Sequence, residues 1–154
     1  MTAELRTFLD IDATPERVWQ VLTDLPTYPD WNPFVANPHG AFVVGGRLSF
    51  DVPPMNPLLR VTLRPTVLEV DPCRRLRFRL RFAKLGMPGL FDADHTLTIE
   101  PRDGGVRLWE EAQFRGLLVP LMTRSLNRER SQAFDDMNAA LKDRTEGRQS
   151  IRPG

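Results

Sequence analysis

Cysteine is almost missing from this chain. Cys73 is the single one among 154 residues, so no disulfide can close within the molecule. Its neighbours in Asp71-Pro72-Cys73-Arg74-Arg75 read as a turn. The two arginines invite the reading of a reactive thiol, but no histidine accompanies it locally, and an incidental turn residue is the preferred reading. Histidine is nearly as scarce: His39 and His95 are the two present, and His39 stands at a Pro38–Gly40 turn. No histidine-rich metal cluster is therefore expected, nor any other cofactor. Charge of one sign is lacking too. Lys and Arg number 21 against 20 Asp and Glu, a net of +1, so the chain lacks the field of a dedicated nucleic-acid binder. Residues 1–11 alternate polar and apolar types and offer no run for a signal peptide or a membrane span. The expectation is a cytoplasmic protein with no stable membrane insertion. Gly45-Gly46 and Gly104-Gly105 sit between strand-like segments, and neither opens a helix carrying Lys-Ser/Thr, so no phosphate cradle is present. No Ser, His and acid set falls in a nucleophile elbow.

What is present is patterning. Hydrophobic residues make up 41% and charged residues 27%, enough for one core and a solvated surface. Leu5, Thr7, Leu9 and Ile11 share one face of an opening strand. Thr14-Pro15-Glu16 then supplies a hydroxyl N-cap, a Pro at the first helical position and an acid at the positive end of the helix. Val18, Trp19, Val21 and Leu22 give that helix its buried side. Asp24-Leu25-Pro26 ends it, and prolines 29 and 33 allow at most one further helical turn. From Phe34 to Arg115 turn signals separate about six strands. The clearest is Arg75–Phe82, where Leu76, Phe78, Leu80 and Phe82 alternate with four arginines. This is the pattern of a half-buried strand with a solvated charged face. Beyond Gly116 the period changes: Leu118, Met122, Leu126, Ala133, Met137 and Leu141 form the stripe of a long helix over about 120–145.

These elements predict an α+β fold. A curved seven-stranded antiparallel sheet grips a long C-terminal helix, two short helices stand near the N-terminus, and residues 1–147 form one domain before a flexible tail at 148–154. Met122, Leu126, Met137 and Leu141 are expected to be mostly buried. A curved sheet and one helix do not fully interpenetrate, so a cavity between them is where a ligand is expected.

The segment Ile11-Asp12-Ala13-Thr14-Pro15-Glu16-Arg17-Val18-Trp19, with Leu22-Thr23-Asp24, Tyr28, Trp31 and Asn32-Pro33, resembles the opening signature of the START-like, or SRPBCC, helix-grip superfamily. That group includes polyketide cyclase/dehydratase-like proteins, Bet v 1-type allergens and lipid-transfer domains. Phe114-Arg115-Gly116-Leu117-Leu118-Val119-Pro120-Leu121 is similar to the strand-to-helix junction of its bacterial members. The resemblance implies the fold and a shared cavity, and it leaves binding, transport and catalysis all open. Bacterial relatives often carry a His at the place of His95 and a Glu just before the Phe114-type aromatic. Here Ala112 stands where that Glu is expected, and Glu110-Glu111 lie earlier. For Asp12, Thr14, Trp19 and Trp31 the residues themselves suggest structural work: helix capping by the first two, sealing of the helix pair by the tryptophans.

Strand parity places His95 among core-facing residues, and Val106, Leu108, Ala112 and Phe114 put Glu110 inward as the polar exception. A bulge would instead turn Trp109 and Glu111 inward. His95 and Glu110 are thus the candidate acid and base, or the polar groups that orient a ligand. The expected cavity wall comprises Trp31, Phe34, Phe50, Leu63, Phe78, Leu80, Phe91, His95, Leu97, Glu110, Met122 and Leu126. Met55, Met87 and Met122 would either cluster at its mouth or serve as ordinary loop and core residues. The leading functional expectation is a module that binds a small hydrophobic or amphipathic molecule. An enzyme of the polyketide cyclase/dehydratase type using His95 and Glu110 is the first alternative, and a protein-interaction or stress-response module the second. Oligomeric state is not legible.

Overall fold

The computed structural model describes residues 2–52, 61–81, 92–117 and 119–147, with the side chains of 61 and 121–134 outside the description. In chain order the elements are β1 (Thr2–Ile11), α1 (Pro15–Thr23), α2 (Tyr28–Trp31), β2 (Ala36–His39), β3 (Ser49–Val52) and β4 (Val61–Leu63). These are followed by β5 (Thr66–Asp71), β6 (Arg75–Arg81), β7 (Asp92–Arg102), β8 (Gly105–Arg115) and α3 (Val119–Glu146). A 3-10 turn at Leu25–Thr27 runs directly into α2, so the two short helices are joined by helical turn.

The strands form a five-stranded antiparallel sheet, in the order β1-β8-β7-β6-β5, and a three-stranded sheet, β2-β3-β4. This corrects the expectation of seven strands in one sheet. The cause is Pro65, which cannot donate to a ladder. It stands between β4 and β5, in a stretch that the turn signals at 53–57 and 71–72 leave undivided. The sheets stay stitched at that point: Arg47 bridges Thr66, and the Leu48 amide donates to the Pro65 carbonyl at 2.9 Å.

Local chemistry accounts for the helix ends. The Thr14 side chain accepts from the Arg17 amide at 3.2 Å, with Pro15 at the first helical position. Asp12 does not cap α1; its backbone amide donates to Glu146 Oε1 at 2.9 Å. Two further bonds fix the last turns of α3 to the start of the chain. Lys142 Nζ donates to the Asp10 carbonyl at 2.6 Å, and the Arg17 guanidinium donates to the Arg144 carbonyl at 3.4 Å. α3 is therefore anchored at its C-terminal end across the mouth of the β1–α1 junction.

The core divides along the concave face of the large sheet. At one end Ile11, Val18, Leu22, Ile99, Val106, Leu108 and Leu141 pack together, with Trp19 and Trp31 against them. At the other end Ala93, Ala112, Phe114 and Val119 form a second cluster, and Leu25, Leu48 and Val67 form a third beside the small sheet. The convex face is charged and mutually neutralised. Arg77, Arg79 and Arg81 meet Glu69, Asp94 and Asp92, while Arg6 meets Glu111 and Arg107 meets Asp10. The arginine row of β6 is thus largely consumed within the sheet, as a solvated charged face. None of the described helices is long and apolar enough to cross a membrane.

Candidate functional site

Between the concave face of the large sheet and α3 lies a cavity of about 290 Å³. Along β7 the inward side chains show its position: Ile99 and Ala93 are buried, whereas Leu97 and His95 between them are only partly so. The sheet wall is Leu5 and Thr7 from β1, Leu76, Phe78 and Leu80 from β6, His95 and Leu97 from β7, and Glu110 and Ala112 from β8. The small sheet adds Phe50, Val52 and Leu63. The helical side is closed by Leu22, Tyr28, Trp31, Met137 and Leu141, with Phe34 at the end of the α2 segment.

The β7–β8 ladder runs without a bulge from Asp92↔Arg115 to Arg102↔Gly105. That register keeps Glu110 on the concave face. Trp109 goes to the convex face, where its indole donates to Glu100 Oε2 at 2.6 Å and Arg6 lies 4.3 Å over its ring. His95 is the Cα partner of Phe78 on one side and Ala112 on the other, while Glu110 partners Leu97 and Thr7. His95 and Glu110 are therefore diagonal neighbours, with Cα atoms roughly 7–8 Å apart by sheet geometry, so that both side chains can address one ligand group.

The two polar residues are held differently. The His95 ring stacks on Phe78 with centroids 5.2 Å apart and planes 11° from parallel, and it meets the edge of Phe114 at 6.3 Å. Glu110 accepts from Asn138 Nδ2 at 3.4 Å and from the Thr7 hydroxyl. Burial pushes the Glu110 carboxyl above its ordinary range, and the bonds from Asn138 and Thr7 offset only part of that rise. Among the described residues it has no ion-pair partner, so nothing else there favours its charged form. The Tyr28 hydroxyl, also driven upward by burial, donates to the Leu22 carbonyl at 2.5 Å, which fixes α2 against α1. Asn32 Oδ1 accepts from the Phe34 amide at 2.9 Å, so the Asn32-Pro33 pair turns the chain from α2 toward the small sheet.

Of the residues expected in the wall, Trp31, Phe34, Phe50, Leu63, Phe78, Leu80, His95, Leu97 and Glu110 line the cavity. Phe91 and the side chains of Met122 and Leu126 lie outside the described residues, as do Met55, Met87 and residues 148–154. Leu141 is buried and Met137 is partly buried at the cavity. Sequence reading missed Thr7 and Asn138 as partners of Glu110. Thr7 carried a signal, standing as the one polar residue on the inward face of β1. Asn138 carried none, because it lies beside the apolar stripe of α3 rather than in it. Among the described residues no group of His, Cys, Asp or Glu could hold a metal ion.

Residues 2–146 match the family described as polyketide cyclase / dehydrase and lipid transport, and the chain belongs to that family. The resemblance carried by Ile11–Trp19 and Phe114–Leu121 is thereby borne out. No curated protein sequence matches the chain. Among solved structures it is similar to protein CV1439 from Chromobacterium violaceum, with 22% identity, a TM-score of 0.71 and coverage of 93% of this chain and 96% of the other. Truncated norcoclaurine synthase from Thalictrum flavum gives 12% identity, a TM-score of 0.71 and coverage of 97% and 96%. The di-domain aromatase/cyclase StfQ of the steffimycin biosynthetic pathway gives 14% identity and a TM-score of 0.76, over 96% of this chain and 52% of StfQ. At these identities the likeness is one of fold.

Proposed function

We propose that this protein binds one small hydrophobic or amphipathic molecule in the cavity between the concave sheet and α3, with His95 and Glu110 orienting the ligand's polar end. The observation that carries this reading is the cavity wall itself, apolar on nearly every side, with two polar groups converging from adjacent strands. That combination suits recognition of an apolar body with one polar substituent. The volume of about 290 Å³ lies at the lower edge of the roughly 300–1,000 Å³ usual for small-molecule sites, which favours a compact ring system or a single acyl chain. Native mass spectrometry of freshly purified protein tests the reading: a copurifying molecule of this class, or one taken up stoichiometrically when offered, supports it. A protein that stays empty against a panel of aromatic and acyl ligands contradicts it.

One observation favours a second reading, catalysis of the cyclase/dehydratase type. A carboxyl held above its ordinary range by burial is suited to deliver a proton to a substrate carbonyl, and His95 on the neighbouring strand is placed to remove one. The family description, and the aromatase/cyclase among the structural neighbours, lend this reading support. Binding ranks first because it needs only the cavity and its inward polar groups, whereas Thr7 and Asn138, which meet Glu110, hold its carboxyl in place and add no second acid or base.

A further inference from the structure

Val43 and Val44 are exposed in a way that folding does not account for. They are 57% and 67% exposed, adjacent in sequence between β2 and β3, and neither lines the cavity. Turns are ordinarily furnished with Gly, Asn, Asp or Ser. This one is tightly held: the Gly46 amide donates to the Val43 carbonyl, the Gly45 amide to the Val67 carbonyl, and the Val67 amide back to Gly46, each at 2.8 Å. Only glycine allows the closure at position 46, where a Cβ would lie 2.8 Å from the Val43 carbonyl oxygen. The two valines therefore sit on a fixed tip.

The charge beside this tip differs from that of the large sheet. Leu48 and Pro65 are buried and line the cavity, so strand alternation turns Arg47 and Arg64 outward, and both are exposed. Neither has an ion-pair partner among the described residues, whereas Arg77, Arg79 and Arg81 each meet a carboxylate. Phe42, the residue before Val43, lines the cavity. An apolar tip, two unneutralised cations and part of the cavity wall thus lie on two paired segments, 42–48 and 64–67.

We propose that the Val43–Val44 turn, together with Arg47 and Arg64, docks this protein peripherally on an anionic membrane surface, with the Phe42 side of the cavity toward the bilayer. The proposal rests on the binding reading above and supplies the place where an acyl-bearing ligand enters or leaves. Two valines offer far less surface than the roughly 1,200 Å² of a stable protein interface. Peripheral membrane contact asks for less: a few apolar side chains in the headgroup region and basic residues attracted by anionic lipid.

The test is flotation with phosphatidylcholine vesicles, with and without phosphatidylglycerol, at low and high salt. The parent protein is compared with Val43→Ser/Val44→Ser and with Arg47→Gln/Arg64→Gln. The parent should float with the anionic vesicles and release them in high salt. The serine variant should lose roughly tenfold or more in partitioning, and the glutamine variant should lose its preference for anionic vesicles. The proposal is overturned if the parent does not bind, if the serine variant binds like the parent, or if the valines instead mediate a vesicle-independent dimer. Binding of a hydrophobic dye to the same samples without vesicles separates the two readings. Dye binding without flotation overturns docking alone, and flotation without dye binding overturns the cavity reading alone.

Discussion

His95 lies flat on Phe78, its ring 11° from parallel and 5.2 Å away, at a point where the two residues are Cα partners across the β6–β7 ladder. The stacking limits the imidazole to a narrow range of orientations, so a ligand meets a polar group whose direction is already set. On the binding reading, His95→Ala should weaken ligand affinity by roughly 1–3 kcal/mol, the usual cost of a buried polar partner left unmade, while the fold survives. Titration calorimetry with the identified ligand reads this directly. A turnover loss of about a hundredfold or more at unchanged affinity would move the assignment to catalysis.

Glu110 should make stability depend on pH. Its carboxyl is raised in the folded protein above the ordinary 4.5, so the folded state keeps a proton that the unfolded chain releases. This contribution to stability is fully present below the unfolded value and is lost as pH rises through the folded one. Chemical denaturation of the parent and Glu110→Gln across mildly acidic to neutral pH should show the variant gaining relative to the parent as pH rises, then levelling. A difference that stays flat with pH would show that Glu110 is not desolvated as described.

The Arg79–Asp94 pair should behave with the opposite sign. Arg79 Nε and Nη2 donate to the two Asp94 oxygens at 2.6 and 2.8 Å, and these bonds hold the Asp94 carboxyl below its ordinary 3.8. Its contribution is present above that ordinary value and is lost as pH falls through the lower folded one. Asp94→Asn should cost about 1–3 kcal/mol at neutral pH, as for a charge-assisted bond to a mostly buried acid. In urea melts the gap between variant and parent should narrow in strong acid.

Gly105 should not tolerate a side chain. A Cβ there would collide with the Ile11 carbonyl oxygen, which is backbone and cannot swing away. Gly105→Ala should therefore destabilise by roughly 2 kcal/mol or more, with thermal melting as the check. Gly104, whose Cβ would meet nothing within 4 Å but whose φ is positive, serves as the comparison, because Gly104→Ala adds backbone strain without a collision.

Much of this arrangement was legible in the residues, and the gaps have physical causes. The alternation of Arg75–Arg81 placed Phe78 and Leu80 inward because a strand's side chains change face at every residue. The same rule, run along β7 and β8, brought His95 and Glu110 to one face. The stripe through Met137 and Leu141 located the terminal helix and its inner side. Pro65 is readable as a residue that cannot donate, yet a lone Pro without Gly, Asn or Asp beside it is a weak turn signal, so one strand is the natural reading through it. Asn138 was out of reach for a different reason. Which flank of α3 meets Glu110 depends on the angle at which the helix crosses the sheet, and that angle is set by tertiary contacts such as Asp12 with Glu146 and Lys142 with the Asp10 carbonyl.

Occupancy of the cavity is the central claim, and Ala112 is the residue that tests it best. It is the Cα partner of His95, is 4% exposed and lines the cavity, so a larger side chain there takes up cavity space. Fluorescence titration of a hydrophobic dye should show one saturable site per folded parent molecule. In Ala112→Leu, shown to be folded by its circular dichroism and melting, affinity should fall by about tenfold or more as the added methylenes occupy ligand space. Absence of dye binding to the parent, or equal affinity in the folded variant, would contradict the account.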